Sequence, residues 1–373
     1  MSTRPTDPAA LLDAAQGGDR VALARLLSYV ERGGEQSRQV AHLAYQSPGR
    51  AYTVGLTGAP GSGKSTLTDR LIGAVREKGF PTADAADAAA DADADTAADA
   101  GAGTADAGAA ADGGARAASA DNAHQVAVLA IDPSSPFTGG AILGDRVRMQ
   151  DHALDDGVYI RSMATRGHLG GLAVAVPDAV RLLSAVGLPV VLVETVGVGQ
   201  VEVDVASATD TTVVVVNPGW GDAIQANKAG LLEIADLFVI NKADRPGVRE
   251  TRRDLEGMLD LTALGEWRPP IVETVASTGE GMDDLWTAIA DHRSYLDSSG
   301  LLDQLRRERL EREFHQILVA RLERKIVELH GSSGYAEVIE SLTAGELDPY
   351  RAADQLLAGI IVPDPPSDED QGT

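Results

Sequence analysis

The sequence predicts an α/β protein with a mostly parallel sheet flanked by helices, and three observations support this class. Short β-branched runs alternate with stretches of helical periodicity, as in consecutive βα units. A glycine-rich turn separates the first of these strands from the first helix of the core. Hydrophobic residues make up 44% of the 373 residues, which is enough to fill a sizeable core.

The predicted strands and helices follow one another closely through the middle of the chain. The first strand covers residues 52–57, and a helix at 64–78 follows it across the glycine-rich turn. Runs rich in Val, Ile and Thr predict the later strands, and amphipathic spacing predicts the helices between them. The later strands are 126–131, 190–194, 212–216, 237–241 and 271–274, and the helices are 178–186, 248–261 and 282–296.

Helical segments flank this core on both sides. We expect an N-terminal helical extension at 1–50, a core domain at 51–296 and a C-terminal helical arm at 297–362. The arm begins with a long helix at 301–329, whose apolar residues form one stripe among many charges. That stripe either packs on its own domain or contacts a second subunit, and the sequence leaves both open. Residues from Pro349 onward predict one more helix.

Acidity is concentrated in two segments. The net charge is −24, which argues against nucleic acid or an anionic membrane surface as the main partner. An insertion at 82–123 contributes −8 and a tail at 363–373 contributes −4. Neither segment has the apolar surface to offset its ordering entropy, so we expect both to be disordered. An acidic docking arm is the other interpretation of the insertion.

The remaining composition narrows the class of protein. The chain has no cysteine, which excludes disulfides, thiolate catalysis and thiolate metal ligands. No signal-peptide pattern is present at its start, and no apolar run approaches the roughly 20 residues that span a bilayer. We therefore expect a soluble, cytoplasmic protein.

A phosphate-binding motif occupies the turn after the first strand. Residues Gly58-Ala59-Pro60-Gly61-Ser62-Gly63-Lys64-Ser65 match G-x-x-x-x-G-K-[ST] between a strand and a helix, the setting that a P-loop requires. The glycines let backbone N–H groups face phosphate oxygens at a helix N-terminus. We expect Lys64 to bridge the β- and γ-phosphates and the Ser65 hydroxyl to bind Mg²⁺.

A second motif indicates which base is bound. The strand at 237–241 ends in Asn241-Lys242-Ala243-Asp244, which matches N-K-x-D. The Asp244 carboxylate can accept hydrogen bonds from N1–H and the amino group of guanine, whereas adenine offers no such pair of donors. We expect Asn241 to support the neighbouring loops and Lys242 to lie along the base. GTP is therefore favoured over ATP.

Three carboxylates are candidates for the magnesium site. The strand at 190–194 runs into Glu194-Thr195-Val196-Gly197, an E-x-x-G sequence in which the Gly197 amide can approach the γ-phosphate. Asp132 follows another strand, and Asp145 lies further along.

Together these segments resemble one family, the MeaB-type GTPases that chaperone adenosylcobalamin-dependent methylmalonyl-CoA mutase and are also labelled ArgK or LAO/AO transport ATPases. The resemblance covers most of the chain apart from the insertion and the tail. It rests on GAPGSGKST at 58–66, IDPSSPFTGGAILGDRVRM at 131–149, RSMATRGHLGGL at 161–172, ETVGVGQ at 194–200, GWGDAIQANKAGLLEIAD at 219–236 and NKAD at 241–244.

The resemblance implies a P-loop G domain that hydrolyses Mg²⁺-GTP, a homodimer formed through the C-terminal arm, and a complex with the mutase. It implies nucleotide contacts by Gly58, Ala59, Pro60, Gly61, Ser62, Gly63, Lys64, Ser65, Thr66, Asn241, Lys242, Asp244, Val275, Ala276 and Ser277. It implies magnesium ligation by Ser65, Asp132, Asp145 and Glu194, with Lys64, Glu194, Asp132 and Gly197 serving catalysis. Val275 departs from the Ser that is commoner in GTPases, which leaves the Ala276 amide to contact the base.

Other functions remain open on the sequence alone. A nickel-insertion GTPase shares the P-loop architecture, but such sites need Cys or His ligands. The older family label suggests a regulatory ATPase or kinase of basic amino-acid transport, and a binding module without hydrolysis is a further alternative. The client could also be isobutyryl-CoA mutase or another B12-dependent mutase.

Overall fold

The structure is a computed structural model, and it describes residues 6–47, 49, 51–80, 123–133, 152, 154–165, 171–195, 208–219, 233–261, 265–329 and 333–361. The predicted tail at 363–373 and all but the last residue of the predicted insertion at 82–123 lie outside these ranges. The chain divides into two units, Met1–Arg309 and Leu310–Thr373.

The described residues contain seven strands in one parallel sheet. The order across the sheet is β3-β2-β4-β1-β5-β6-β7, with every neighbouring pair parallel. The strands are β1 Tyr52–Gly58, β2 Val126–Pro133, β3 Val158–Thr165, β4 Val190–Thr195, β5 Thr211–Val216, β6 Leu237–Asn241 and β7 Ile271–Thr274.

Ten helices accompany the sheet within the described ranges. They are α1 Pro8–Gln16, α2 Arg20–Arg32, α3 Glu35–Gln46, α4 Lys64–Lys78, α5 Gly171–Ala185, α6 Val248–Leu261, α7 Met282–Ser299, α8 Leu301–Leu329, α9 Ser333–Thr343 and α10 Pro349–Ile361. The α/β class predicted from the sequence is confirmed.

The central strands are buried along their whole length. Every residue of β1, β4, β5 and β6 is buried, as expected for parallel strands with both faces covered. The register pairs Leu56 with Glu194 and Gly58 with Val215. The carboxyl ends of β1, β4 and β5 therefore meet at one edge of the sheet, where ligands bind in open α/β folds.

The three N-terminal helices pack on one face of the sheet. Asp7 and Asp19 cap α1 and α2 through their side chains, which satisfies N–H groups that a helix start leaves free. Leu26 and Leu27 of α2 belong to the same hydrophobic cluster as Leu129 of β2. The N-terminal extension therefore shares its core with the sheet.

The opposite face of the sheet is covered by α4 and α7. Leu67 and Ile72 of α4 pack with Val54 of β1 and Leu285 of α7 in a second cluster. This packing holds α4 directly behind the glycine-rich turn.

A buried polar network lies at the opposite end of the strands from the P-loop, at the side of the sheet where the strands begin. The Tyr52 hydroxyl lies 2.6 Å from Thr211 Oγ1, which lies 2.8 Å from His292 Nδ1 on α7. His292 Nε2 is 3.5 Å from Asp236 Oδ1, and Thr212 donates its N–H to Asp236 Oδ2 at 2.7 Å. Burial raises the pKa of Asp236 to about 7 and lowers the pKa of His292 to about 4.

Asp210 is the fully buried carboxylate at that side of the sheet. It accepts hydrogen bonds from Arg306 at 2.8 Å and from Arg309 at 3.0 Å, and from the Thr53 N–H at 3.0 Å. Burial by itself would raise the pKa of Asp210, but the two guanidinium groups outweigh it and hold that pKa below its ordinary value.

The described part of the second unit consists of helices, with a short turn at 344–348 between α9 and α10. Its portion of α8 exposes apolar side chains four residues apart, namely Leu310, Phe314, Leu318, Leu322 and Ile326. In α9 and α10, Val338 and Ala352 are buried. None of the described helices of either unit is both long and apolar enough to cross a membrane.

Strand β3 and helix α3 were not predicted from the sequence, and neither was helix α9 of the second unit. Strand β3 lies at the edge of the sheet and carries Arg161 and Ser162 among its apolar residues, so no continuous apolar run marks it. Helix α3 follows two glycines and buries only a narrow stripe of small and medium side chains. Strand β3 is joined to α2 by Arg161, which donates to Glu31 at 2.7 Å, and α3 packs against α2 and α5.

Candidate nucleotide-binding site

The P-loop leaves β1 at the carboxyl edge and enters α4. Gly58 has a φ of 133°, and a Cβ on it would lie 2.1 Å from the Val215 carbonyl oxygen of β5. Gly63 caps α4 with a φ of 99°, and a Cβ there would lie 2.1 Å from Asn241 Nδ2. Only glycine allows these two close approaches. The first and last glycines of the motif therefore let the P-loop lie against β5 and the end of β6.

Lys64 is the first residue of α4 and is almost fully buried. Its Nζ donates to the carbonyl oxygens of Gly58 at 2.7 Å and Ala59 at 3.0 Å. The Lys64 side chain therefore folds back across the P-loop, which precedes it in the sequence. A positive charge at a helix start surrounded by loop N–H groups is suited to phosphate.

Ser65 and Glu194 join the P-loop helix to the neighbouring strand β4. Ser65 Oγ donates to Glu194 Oε1 at 2.6 Å, and Thr68 Oγ1 donates to Glu194 Oε2 at 3.1 Å. The Glu194 side chain is buried, with the residue 2% exposed. Hydroxyl and carboxylate oxygens are the ligands that Mg²⁺ takes in phosphate sites, so this pair fits a magnesium ion.

The other predicted ligands are described only in part. Asp132 lies at the carboxyl end of β2, two residues beyond Ala130, which pairs with Glu194. Its backbone is thus at the edge that carries Glu194, while its side chain lies outside the description. Asp145 and Gly197 lie outside the described residues altogether. Among the described residues no three His, Cys, Asp or Glu side chains cluster.

Asn241 ties three segments of the site together. Its Nδ2 donates to the Ser62 carbonyl at 2.8 Å, while its Oδ1 accepts from Thr274 Oγ1 at 3.2 Å and the Ala276 N–H at 3.1 Å. Asn241 is 2% exposed. The P-loop, the end of β6 and the loop after β7 are therefore held in one arrangement by a single amide.

Lys242 and Asp244 follow Asn241 at the surface. Among the described residues, Lys242 alone combines a positive φ, 61°, with a side chain, and its Nζ donates to the Gly61 carbonyl at 2.6 Å. The Lys242 stem thus reaches the P-loop, and the Asp244 side chain is exposed beside it. Asn217, after β5, directs its Nδ2 to the same Gly61 carbonyl at 3.4 Å.

The loop after β7 is a tight turn closed by backbone hydrogen bonds. The Val275 carbonyl accepts hydrogen bonds from the N–H groups of Thr278 and Gly279, and the Val275 N–H donates to the Glu280 carbonyl. The sequence leaves the Ala276 amide available for the base, but in the structure this N–H donates to Asn241. Arg70 of α4 donates to the carbonyls of Ala276 at 3.0 Å and Ser277 at 2.9 Å.

Three contacts of this site were missed from the sequence. Thr68 lies three residues after Ser65 on α4, and this helical spacing could have placed both hydroxyls on one face. Thr274 is the last residue of a predicted strand, but nothing local indicates its partner Asn241. Arg70 contacts a loop more than 200 residues away, and no sequence signal reveals that contact.

A P-loop between a strand and a helix, joined through Asn241 to an N-K-x-D segment, defines a P-loop nucleotide-binding protein of the GTPase class. The family model described as methylmalonyl-CoA mutase-associated GTPase MeaB matches residues 23–91 and 115–330. The chain belongs to this family, whose members hydrolyse GTP.

Individual relatives agree with this assignment. A protein of Pyrococcus abyssi that is named as a GTPase is 44% identical over 356 residues, covering 94% of this chain and 96% of that protein. The mouse mitochondrial methylmalonic aciduria type A homolog is 30% identical over 366 residues, covering 91% of this chain and 76% of the mouse protein.

One solved structure shows the same fold over nearly the whole chain. The crystal structure of an LAO/AO transport system kinase superposes with a TM-score of 0.62 and 24% sequence identity. It covers 97% of this chain and 100% of that one. At this identity the likeness concerns the fold.

Proposed function

We propose that this chain is a magnesium-dependent GTPase that acts as a chaperone for an adenosylcobalamin-dependent acyl-CoA mutase, with methylmalonyl-CoA mutase as the first candidate. The observation that carries the nucleotide half is the Asn241 amide, which joins the P-loop to the N-K-x-D segment and the loop after β7. The mutase half is supported by the family's name and by the name of the mouse relative.

In the proposed mechanism the protein positions GTP and does little covalent chemistry. The loop Gly58–Thr66 surrounds the phosphates with N–H groups, and Lys64 turns from its carbonyl partners to the β- and γ-phosphates. Ser65 and Glu194 hold the magnesium ion, with Asp132 and Asp145 proposed nearby. When bound, Mg²⁺ neutralises charge on the phosphate oxygens.

Guanine selection in this proposal depends on Asp244. Its exposed carboxylate accepts from guanine N1–H and the amino group, while Lys242 covers the base from the side of Gly61. An ATP molecule would leave the carboxylate without donors, which costs affinity. Gly197, in the segment after Glu194, is proposed to contact the γ-phosphate.

The partner is proposed to sense the nucleotide state through the segments that follow β2 and β4. GTP would order these segments, and hydrolysis would release them, so that the grip on a mutase changes as its cobalamin is loaded or protected. Turnover by the isolated chain is expected to be slow and to rise when the mutase binds.

The test combines binding and turnover with purified proteins. We expect the chain to co-purify with methylmalonyl-CoA mutase in the presence of a non-hydrolysable GTP analogue, and the mutase to accelerate GTP hydrolysis. A Lys64→Ala variant is the matched control, since it removes the phosphate contact and leaves the protein surface intact. Equal hydrolysis rates with and without mutase would contradict the chaperone proposal, while tighter ATP than GTP binding would contradict the base assignment.

We further propose that two copies of the chain pair through the exposed apolar stripe of α8. Leu310, Phe314 and Leu318 expose between about 40% and 66% of their surface, and burial against a second copy would remove this area from water. Phe314→Glu combined with Leu318→Glu is expected to halve the mass measured by light scattering. Glu311→Lys, a charge change on the same helix, is the control and should leave the mass unchanged.

A further inference from the structure

Arg70 links the helix that follows the P-loop to the loop after β7. It lies on the second turn of α4, six residues after Lys64. Its Nε donates to the Ala276 carbonyl at 3.0 Å, and its terminal NH2 donates to the Ser277 carbonyl at 2.9 Å. A guanidinium group is a rigid fork of donors, so two bonds to successive carbonyls fix both the position and the orientation of that backbone.

Holding the Ala276 carbonyl also fixes the next amide. None of the described peptide bonds is cis, and in a planar trans peptide the C=O and N–H groups point in opposite directions. The Ser277 N–H therefore faces away from Arg70. Within the part of the chain that the structure describes, this N–H donates to no other group.

The neighbouring amides of the turn are already engaged. The Ala276 N–H donates to Asn241 Oδ1, and the Thr278 N–H donates to the Val275 carbonyl. Of the three consecutive amides at 276–278, only that of Ser277 is left as a donor. This loop lies next to Asn241, at the edge where the proposed guanine site is.

We propose that Arg70 is a positioning residue for base selection, because it orients the 276–277 peptide so that the Ser277 N–H is offered to O6 of a 6-oxopurine. Guanine and hypoxanthine carry an acceptor at this position, whereas adenine carries an amino group that donates. A fixed N–H donor therefore favours guanine and hypoxanthine and disfavours adenine. This inference rests on the proposed function, since it assumes that the base binds beside Asn241.

The test measures GDP, IDP and ADP affinities by titration calorimetry for the full chain and three variants. Arg70→Gln is expected to weaken GDP and IDP by the same factor, roughly five- to tenfold, as for one well-placed hydrogen bond. ADP binding should stay unchanged. Arg70→Lys should give an intermediate loss, because a single ammonium group reaches the carbonyls without the two-pronged geometry.

Arg76→Gln is the matched control. Arg76 lies on the same helix and also donates to a backbone carbonyl, that of His124, and to Asp155 at 2.8 Å, yet it lies away from the loop after β7. It should change stability without changing the ratio of GDP to ADP affinity.

Two outcomes would overturn the inference. An equal loss for all three nucleotides would show that Arg70 acts through the P-loop or the fold, and unchanged GDP affinity in Arg70→Gln would show that the loop needs no such support. The proposed function fails separately: in that case the unaltered chain would bind ADP as tightly as GDP.

Discussion

Ser65 Oγ and Glu194 Oε1 lie 2.6 Å apart although 129 residues separate them in sequence. One belongs to the first turn of α4 and the other to the end of β4, and the adjacency of β1 and β4 in the sheet brings them together. This contact links the phosphate loop to the segment that follows β4. Here the order of the strands directly determines which two groups meet in the proposed magnesium site.

Replacing Glu194 tests its assignment to the magnesium site. Glu194→Gln keeps the size of the side chain but removes the charge, so the Mg²⁺ concentration needed for half-maximal GTP hydrolysis should rise by roughly 10- to 100-fold. A magnesium titration of the hydrolysis rate measures this. Thr68→Val, which removes the second hydroxyl bond to Glu194 and the bond from the same hydroxyl to the Lys64 carbonyl at 3.0 Å, keeps the Glu194 charge and should shift this concentration far less. An unchanged magnesium requirement in Glu194→Gln would remove Glu194 from the site.

Asn241 is expected to be important for both stability and nucleotide binding. Asn241→Ala breaks three hydrogen bonds and leaves the buried Ala276 N–H unpaired, so the free energy of unfolding should fall by about 2 to 3 kcal/mol. Urea denaturation followed by circular dichroism measures this loss. Asn217→Ala is the comparison, because among the described residues its side-chain amide makes only the long 3.4 Å contact to the Gly61 carbonyl, and it should cost less than about 1 kcal/mol. Equal losses in both variants would contradict the bridging role.

Asp210 should be the most sensitive carboxylate at the start of the strands. Asp210→Asn leaves Arg306 and Arg309 without their buried counter-charge and should lower the free energy of unfolding by about 3 to 5 kcal/mol. Asp297→Asn, at a carboxylate that is 41% exposed and lies 3.4 Å from Arg293, should cost less than about 1 kcal/mol because water screens the exposed charge. Thermal unfolding of both variants gives the comparison. A small loss in Asp210→Asn would show that the arginines find other partners.

The same carboxylate gives a pH dependence at the acid end. The pKa of Asp210 is lower in the folded chain than in the unfolded one, so its contribution is fully present above about pH 4 and is lost as pH falls through the folded pKa. Asp210→Asn should therefore flatten the acid limb of stability against pH. A limb as steep as that of the unaltered chain would assign the acid sensitivity to other groups.

Asp236 and His292 should change stability in opposite senses. The folded pKa of Asp236, about 7, lies above its unfolded value, so its contribution falls as pH rises from about 4 to 7. The folded pKa of His292, about 4, lies below its unfolded value, so its contribution rises between about pH 4 and 6.5. The two slopes largely cancel in the unaltered chain.

Asp236→Asn separates these two contributions. It keeps an acceptor for the Thr212 N–H and removes the titration, so stability should then rise with pH between about 4 and 6.5. The free energy of unfolding of the variant, relative to that of the unaltered chain, should be about 1 to 2 kcal/mol higher at pH 8 than at pH 5. This value is reduced for solvent screening, because the Asp236 side chain is 34% exposed. Urea unfolding at a series of pH values checks this. A variant that parallels the unaltered chain at every pH would place the titration elsewhere.

The sequence by itself determined the chemistry of the phosphate and base motifs and most of the elements that carry them. Residues 64–78, 237–241, 248–261, 271–274 and 301–329 were predicted with the bounds that the structure has. These features depend on spacing over a few residues, because glycine conformation, helical periodicity and strand alternation are local properties. Edge strand β3 and helix α3 escaped prediction because packing against other elements stabilises them.

Only the tertiary structure decided which side chains meet. The sheet order places β4 beside β1, and so Glu194 beside Ser65, while the return of the chain to the loop after β7 places Ala276 against Asn241 and Arg70. The Ala276 amide, available for the base on the sequence alone, is bonded to Asn241 for this reason. Such contacts join residues more than 100 positions apart, or 35 for Ala276 and Asn241. They depend on strand order and helix docking, which no local spacing encodes.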